Sequence, residues 1–338
     1  MNNFPFECFV NQAEQEHRTG SWLGNPALFR VFYFVVFFCG AHFPNRICAD
    51  LVVEPSDVPT FENIAYGPHE RHRIDFWQAN GNGPRPVLVF IHGGGWNGGD
   101  KKDIPKKLLR SMLDHKISVA SINYRYTSMA LLPGPLHDAA QAIQFIRSQA
   151  NAWNIDSKRL GAYGVSAGGC SVLWLAYHDD LADESQQDSV LRESSRLLVA
   201  VGISPQTSLE PDVITSWVGN QVLNHPMIGR AIGFKKGDEP LQLYEKWRPM
   251  LHECSPITHV TSDDPPTMLA YPRIDKLPAE NAGSAIHHAL FGLKVKERAD
   301  KLRIDCELRI EESAALSSMK PEEFLIEHLF ATHPYLSK

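Results

Sequence analysis

From about residue 60 onward the chain alternates short apolar runs with amphipathic stretches, and this alternation restricts the fold more than any other feature. Strands that are apolar along their whole length must be covered on both faces. Helices with a three- and four-residue apolar period supply that cover. Pro86–His92 (PVLVFIH) predicts a buried strand ending in glycines, and Ile117–Tyr124 (ISVASINY) predicts the next, with helical spacing over Lys101–His115 between them. In Leu136–Asn151 the residues Leu136, Ala139, Ala140, Ile143, Ile146 and Ala150 share one helical face. Strands are predicted at Arg159–Val165, Leu197–Ile203, Thr267–Tyr271 and Ile304–Ile310, and helices after Ser166, over Ile286–Leu302 and over Pro321–Phe330. Residues 205–255 break this rhythm and hold several Gly, Pro and Trp, which predicts an insertion over one edge of the sheet. The expected architecture is α/β: a mostly parallel central sheet flanked by helices, in one domain over 50–338, with an insertion near 205–255.

The 338 residues are 43% hydrophobic, enough for one large core. The formal net charge of −6 comes with no basic stripe, so nucleic acid is not an expected partner. The first fifty residues differ from the rest. Val31–Asn45 (VFYFVVFFCGAHFPN) carries no Lys, Arg, Asp or Glu, and the small-residue context Ile47-Cys48-Ala49 follows it. This apolar part is short for a membrane span of about 20 residues and suits the core of a signal peptide. Residues 1–49 are therefore expected to be a signal peptide or an N-terminal anchor, and the location periplasmic or secreted. Membrane contact is expected only if the segment stays uncleaved. The preceding stretch is long for a signal and includes Glu7, Glu14 and Glu16, which keeps the anchor and an apolar flap on the domain open as readings. Cleavage would leave Cys170, Cys254 and Cys306, of which Cys254 with Cys306 is the better candidate for a disulfide because Cys170 falls in a buried helix. No CxxC pair points to a metal, and no metal or organic cofactor is expected.

Two motifs carry chemistry. Gly164-Val165-Ser166-Ala167-Gly168 is a G-x-S-x-G sequence between a predicted strand and a predicted helix. A nucleophilic serine must stand clear of the sheet on a sharp turn, and glycines two residues before and after relieve the crowding that the turn creates. The helix that follows points its N-terminus at a developing oxyanion. His92-Gly93-Gly94-Gly95-Trp96 ends the strand 86–92. Its glycines let peptide N–H groups approach a ligand, and a tetrahedral intermediate needs two such donors together. Gly94, Gly95 and Ala167 are the candidate oxyanion donors, and His92 is read as a residue that positions the loop. A phosphate cradle is the rival reading, but the Lys-Ser/Thr ending of a P-loop is absent.

In order, HGGGW, NGGDK, NYRY, LHDAAQAIQFIR and IDSKRLGAYGVSAGG resemble the esterase branch of the α/β-hydrolases, which includes carboxylesterases, acetyl-xylan and feruloyl esterases and kynurenine formamidases. The similarity covers about residues 60–335 and is densest from Pro86 to Gly169. It implies Ser166 as nucleophile and Gly94 and Gly95 as oxyanion-hole glycines. Asp138, Asp156 and Arg159 match structural positions of the family and are read as charge-pairing and capping groups.

The resemblance also implies an acid after the next-to-last strand and a histidine after the last. Asp275, in Tyr271-Pro-Arg-Ile-Asp275, stands where the acid belongs and would orient an imidazole. The loop Glu311–Lys320 (EESAALSSMK) contains no histidine, and His328 and His333 fall within and beyond the final helix. His287 and His288 lie near Asp275 in sequence at the predicted start of the next helix. A triad depends on geometry rather than chain order, so either is a candidate base, and the absence of a base is the open alternative. The leading expectation is a serine esterase that cleaves a short-chain acyl or carbohydrate ester through an acyl-enzyme. A formamidase-type amide hydrolase is the second reading, and a non-catalytic binding protein on a hydrolase fold is the third. Trp217, Phe234, Tyr244 and Trp247 of the insertion would line a pocket or join the core.

Overall fold

The apolar runs become the inner strands of one sheet. The structure, a computed structural model, describes residues 57–235, 238, 240–312 and 319–331. The segment 1–49 and its boundary near residue 50 lie outside the described residues, as does His333. The strands are β1 (Phe61–Ala65), β2 (Arg73–Trp77), β3 (Arg85–Ile91), β4 (Ser118–Asn123), β5 (Ile155–Val165), β6 (Val199–Ile203), β7 (Thr267–Tyr271) and β8 (Cys306–Ile310). Among the described residues they form one eight-stranded sheet in the order β1-β2-β4-β3-β5-β6-β7-β8. β2 runs antiparallel to both β1 and β4, and every pairing from β4 to β8 is parallel.

β3 shows why the pattern reads as it does. Val87, Val89 and Ile91 enter one core cluster, with Leu136, Ile143 and Ile146 of helix α2 (Gly134–Ser148). Leu88 and Phe90 enter the other cluster, with Leu108, Leu109 and Met112 of α1 (Lys106–Asp114) and Phe324, Leu325 and Leu329 of α10 (Pro321–Phe330). Both faces are dry, so the strand carries no polar alternation. The predicted face of α2 is buried from Leu136 to Ile146, and Ala150 packs against the same core. α3 (Ala167–Tyr177) is buried along its whole length. The remaining helices are α4 (Pro211–Val218), α5 (Pro226–Ala231), α6 (Pro240–Glu253), α7 (Pro256–His259), α8 (Ala282–Ile286) and α9 (Leu290–Leu302).

Three expectations change. The helix predicted over Ile286–Leu302 is two helices, α8 and α9, broken at residues 287–289. The insertion is helical: α4, a 3-10 turn at Asn220–Asn224, α5 and α6 occupy it; α4 and α5 are too short to show a period, and α6 carries Pro249 in its interior. α4, α5 and α6 each begin at a proline, which suits a first helical turn. Trp217, Phe234 and Trp247 are half-buried and pack against the main core, and Tyr244 is buried in it. The expected Cys254–Cys306 bridge does not form. Cys170, Cys254 and Cys306 are free buried thiols, and burial pushes Cys254 up to about 12 and Cys306 to about 11.

The strands β1 and β2 carry little apolar signal because β2 holds a buried charge. Asp75 accepts from Lys101 Nζ at 2.6 Å, with both side chains 3% exposed, and from the Asn63 amide at 2.8 Å. Lys101 also donates its own amide to Asn123 Oδ1 and accepts from Ser121 Oγ through its carbonyl. This pins the end of the segment 92–101 to the sheet. Removing one partner of a buried pair leaves an uncompensated charge, which costs about 3–5 kcal/mol. Lys101→Met is expected to lower unfolding free energy in urea by that order, with the denaturant slope unchanged. A loss below about 1 kcal/mol would show that the pair does not anchor the loop.

Candidate active site

Ser166 sits between β5 and α3 with φ 54° and ψ −120°, a region that side chains other than glycine enter at a cost of about 1–3 kcal/mol. The surroundings leave the turn no alternative. A Cβ on Gly164 would stand 2.3 Å from Gly168 O, and one on Gly168 would stand 2.1 Å from Ile91 O. Both glycines of the motif are therefore steric requirements of the turn. Ser166 donates its amide to Ile203 O of β6 at 2.8 Å, and its carbonyl accepts the first bond of α3 from Cys170 at 2.9 Å. The amide of Ala167 opens the helix and has no acceptor within it.

The glycine loop lies against this turn. A Cβ on Gly93 would be 2.8 Å from Val165 O and 3.5 Å from Ser166 Cβ. Gly94, Gly95 and Trp96 follow with φ of 99°, 62° and 54°, a run of left-handed backbone. Trp96 holds the run in place: it is fully buried and donates Nε1 to Ser171 Oγ on α3 at 3.0 Å. His92 positions the loop, as its sequence suggested. Its Nδ1–H donates to Gly93 O at 2.8 Å and its ring stacks on Tyr124 at 4.3 Å. Burial keeps the His92 imidazole below its ordinary range. Tyr124 Oη donates to the His92 carbonyl at 2.8 Å. Arg71, unsignalled in the sequence, lies 3.7 Å over the Tyr126 ring and donates Nε to Tyr124 O at 2.7 Å.

Of the two candidate bases, the fold brings His287 to the serine. His287 Nε2 is 2.9 Å from Ser166 Oγ. Its Nδ1–H donates to Gly283 O at 3.2 Å, which leaves the Nε2 lone pair to accept the hydroxyl proton. The helix break accounts for this placement. Asn281 caps α8 by accepting from Ser284, and after five residues the helix stops with His287 at its C-cap, pointing back toward β5. Gln206 Nε2 donates to Ile286 O at 2.9 Å and fixes the residue just before the base. Burial holds the His287 imidazole below its ordinary range.

His288 is not a base. It is fully buried, donates Nε2 to the Asp275 carbonyl at 2.9 Å and accepts the Leu290 amide on Nδ1 at 3.0 Å, so both ring nitrogens are used structurally. Asp275 does not do what its place in the chain suggested. Its carboxylate accepts from Arg273 Nε at 2.9 Å, and its link to the histidine pair is its main-chain carbonyl on His288. The imidazole of His287 is thus oriented by a peptide carbonyl of its own helix. His328 is buried elsewhere and contacts Asp305 at 3.1 Å. Asp138 and Asp156 are charge partners as read, bonded to Arg125 at 2.6 Å and to Arg159 at 2.7 Å.

The sheet order, the strained serine turn and the adjoining glycine loop define an α/β-hydrolase. The chain belongs to the BD-FAE family, whose model matches residues 75–290. Among curated proteins it is similar to a probable isoprenylcysteine alpha-carbonyl methylesterase of Arabidopsis thaliana, 30% identical over 143 residues, which cover 42% of this chain and 33% of that one. It is also similar to the probable carboxylic ester hydrolase LipM of Mycobacterium tuberculosis, 24% identical over 224 residues, or 64% and 48% of the two chains. The matched region spans a third to a half of those relatives' length. Among solved structures, a truncated carbohydrate esterase from gut microbiota superposes with a TM-score of 0.60 at 19% identity, covering 76% of this chain and 89% of that one.

The two histidines make separable predictions. Labelling of Ser166 by a fluorophosphonate is expected to slow by a hundredfold to ten-thousandfold in His287→Ala, because the proton acceptor is gone. His288→Asn is expected to label at near the unaltered rate at temperatures where it stays folded. Equal losses in the two variants would refute the assignment.

Proposed function

We propose that this protein is a serine esterase that cleaves carboxylic esters through an acyl-enzyme, with Ser166 as nucleophile and His287 as base. The 2.9 Å contact between Ser166 Oγ and His287 Nε2 carries the reading. His287 takes the Oγ proton as the oxygen attacks the ester carbonyl, and the resulting oxyanion is bound by the amides of Gly94, Gly95 and Ala167. The protonated imidazole gives its proton to the departing alkoxide. Water then repeats the sequence on the acyl-serine and releases the acid. A base in hydrogen-bonding reach of a strained serine argues against a purely binding role. The esterase names of the relatives support an ester substrate, and a short-chain acyl or carbohydrate ester is the class we assign. Export to the periplasm or medium, through cleavage of the first 49 residues, belongs to the same proposal.

Ser166→Ala is expected to abolish hydrolysis of p-nitrophenyl acetate by the full chain; turnover that survives it would overturn the assignment. In a triad whose aspartate holds the imidazole, replacing that aspartate by Asn lowers kcat by about ten-thousandfold. Here Asp275 pairs with Arg273, so Asp275→Asn is expected to cost less than about tenfold, and a triad-sized loss would show that the carboxylate swings to His287 during turnover. The base works only when neutral, that is, above its pKa. Because burial lowers that pKa, the acid limb of kcat/KM is expected to fall below the ordinary histidine value of about 6.5. A limb at or above that value would contradict the buried placement.

A further inference from the structure

At the far end of α3 from Ser166, three metal-ligating side chains converge outside the catalytic centre. His178 follows the last residue of α3, Glu253 ends α6 and His259 ends α7. One ligand atom from each lies within 4.8 Å of the other two. His178 Nε2 is 3.0 Å from Glu253 Oε1, and His259 Nε2 is 3.9 Å from the same oxygen. A tetrahedral zinc with bonds of about 2.0–2.2 Å sets its ligand atoms about 3.3–3.6 Å apart, so small side-chain rotations bring the three into register.

The hydrogen bonds of His178 favour a cation between it and Glu253. His178 Nδ1 is 2.8 Å from Asp179 O and donates there, which leaves a lone pair on Nε2. Nε2 and Glu253 Oε1 then face each other as two acceptors at 3.0 Å. Such a contact needs either a second proton on the ring or a cation between the two atoms. A backbone carbonyl that holds one imidazole nitrogen and frees the other is the usual outer-shell arrangement of a metal-bound histidine. The cluster is also walled. Trp174 packs on His178 at 4.3 Å and edge-on to His259 at 6.4 Å, and its Nε1 donates to the Glu253 carbonyl at 3.0 Å. His259 Nε2 donates to the same carbonyl at 2.6 Å, a bond that metal ligation by this nitrogen replaces. His137 covers the other side of Trp174 at 5.8 Å. The side chains of His178 and His259 are 18% and 19% exposed, so a metal would be partly desolvated yet keep room for a water ligand.

We propose that His178, Glu253 and His259 bind one divalent ion of the zinc class, which ties the end of the helical insertion to the C-terminus of α3. Two imidazoles and a carboxylate suit zinc and its neighbours, whereas calcium and magnesium require oxygen ligands. The site lies about 18 Å along α3 from the nucleophile, so its role is to hold the insertion in place and not to take part in the reaction. The chain closed by such an ion, from His178 to His259, includes α4 to α6, which carry Met227 to within reach of the glycine loop.

Full-chain protein stripped with a chelator, reloaded with zinc and dialysed tests this by elemental analysis and thermal melting. The expected result is one retained zinc per chain and a rise in Tm of a few degrees. His178→Ala/His259→Ala is expected to retain none, and Glu253→Gln to bind at least tenfold more weakly. The rise in Tm should vanish in all of them. No retained zinc in the unaltered protein, or a full equivalent in the double variant, overturns the site and leaves a proton-bridged His178–Glu253 pair. If the variants do not fold, anomalous scattering from crystals of the unaltered protein grown with zinc decides. A peak among the three side chains supports the site, and a peak elsewhere or none overturns it.

Discussion

The closeness of two chain segments at Gly168 is the constraint on which the rest of the structure depends. With no side chain at that position, the first turn of α3 presses onto the carbonyls of Ile91 and His92, where even a methyl group would overlap at 2.1 Å. That approach brings the C-terminal ends of β3 and β5 together. It sets Gly93 against Ser166. Strain at Ser166 and in the loop persists because the core holds both ends. Trp96 is locked to Ser171, and Lys101 is locked to Asp75 beneath the sheet.

His287 reaches Ser166 by a route the strand order does not predict. It comes from a five-residue helix between β7 and β8 that stops one residue short of His287. A capping pair at Asn281 and Ser284 starts that helix, and Gln206 and the buried His288 hold its end. One consequence is electrostatic. A peptide carbonyl orients the ring and fixes its tautomer but places no full charge beside it, so in the proposed mechanism an imidazolium on His287 draws less stabilisation than it would from a carboxylate. Asp275, engaged with Arg273, contributes to the position of His288 through its backbone.

Around the centre, polar groups act mainly as fasteners. Arg71 ties Tyr124, Tyr126 and the glycine loop together, and Arg125 and His72 converge on Asp138. These residues stand on different elements, and each closes a contact that apolar packing leaves undirected. The helical insertion is fastened at several places, among them Met227 against Gly95, the Leu132 amide on the Ala231 carbonyl, the Ala279 amide on the Val218 carbonyl and the junction of α6 and α7 with the end of α3.

Several features could be read from the chain by itself. The inner strands, the amphipathic face of α2, the serine turn and the glycine loop are all local: period, apolar run length and glycine placement act within a few residues. Strand β2 was hidden because Asp75 finds its partner 26 residues away, and a charge with a distant partner looks like surface; β1, at the edge of the sheet, is mostly exposed. Of the helices in the insertion, α4 and α5 were hidden by their short lengths and α6 by Pro249 in its interior. The choice between His287 and His288, the engagement of Asp275 with Arg273 and the separation of Cys254 from Cys306 belong to tertiary structure alone. Each depends on which of two neighbouring groups a helix end turns inward, or on what packs against it from another element. Adjacent residues at a helix terminus point in different directions, and only the docked helix determines which one meets the serine.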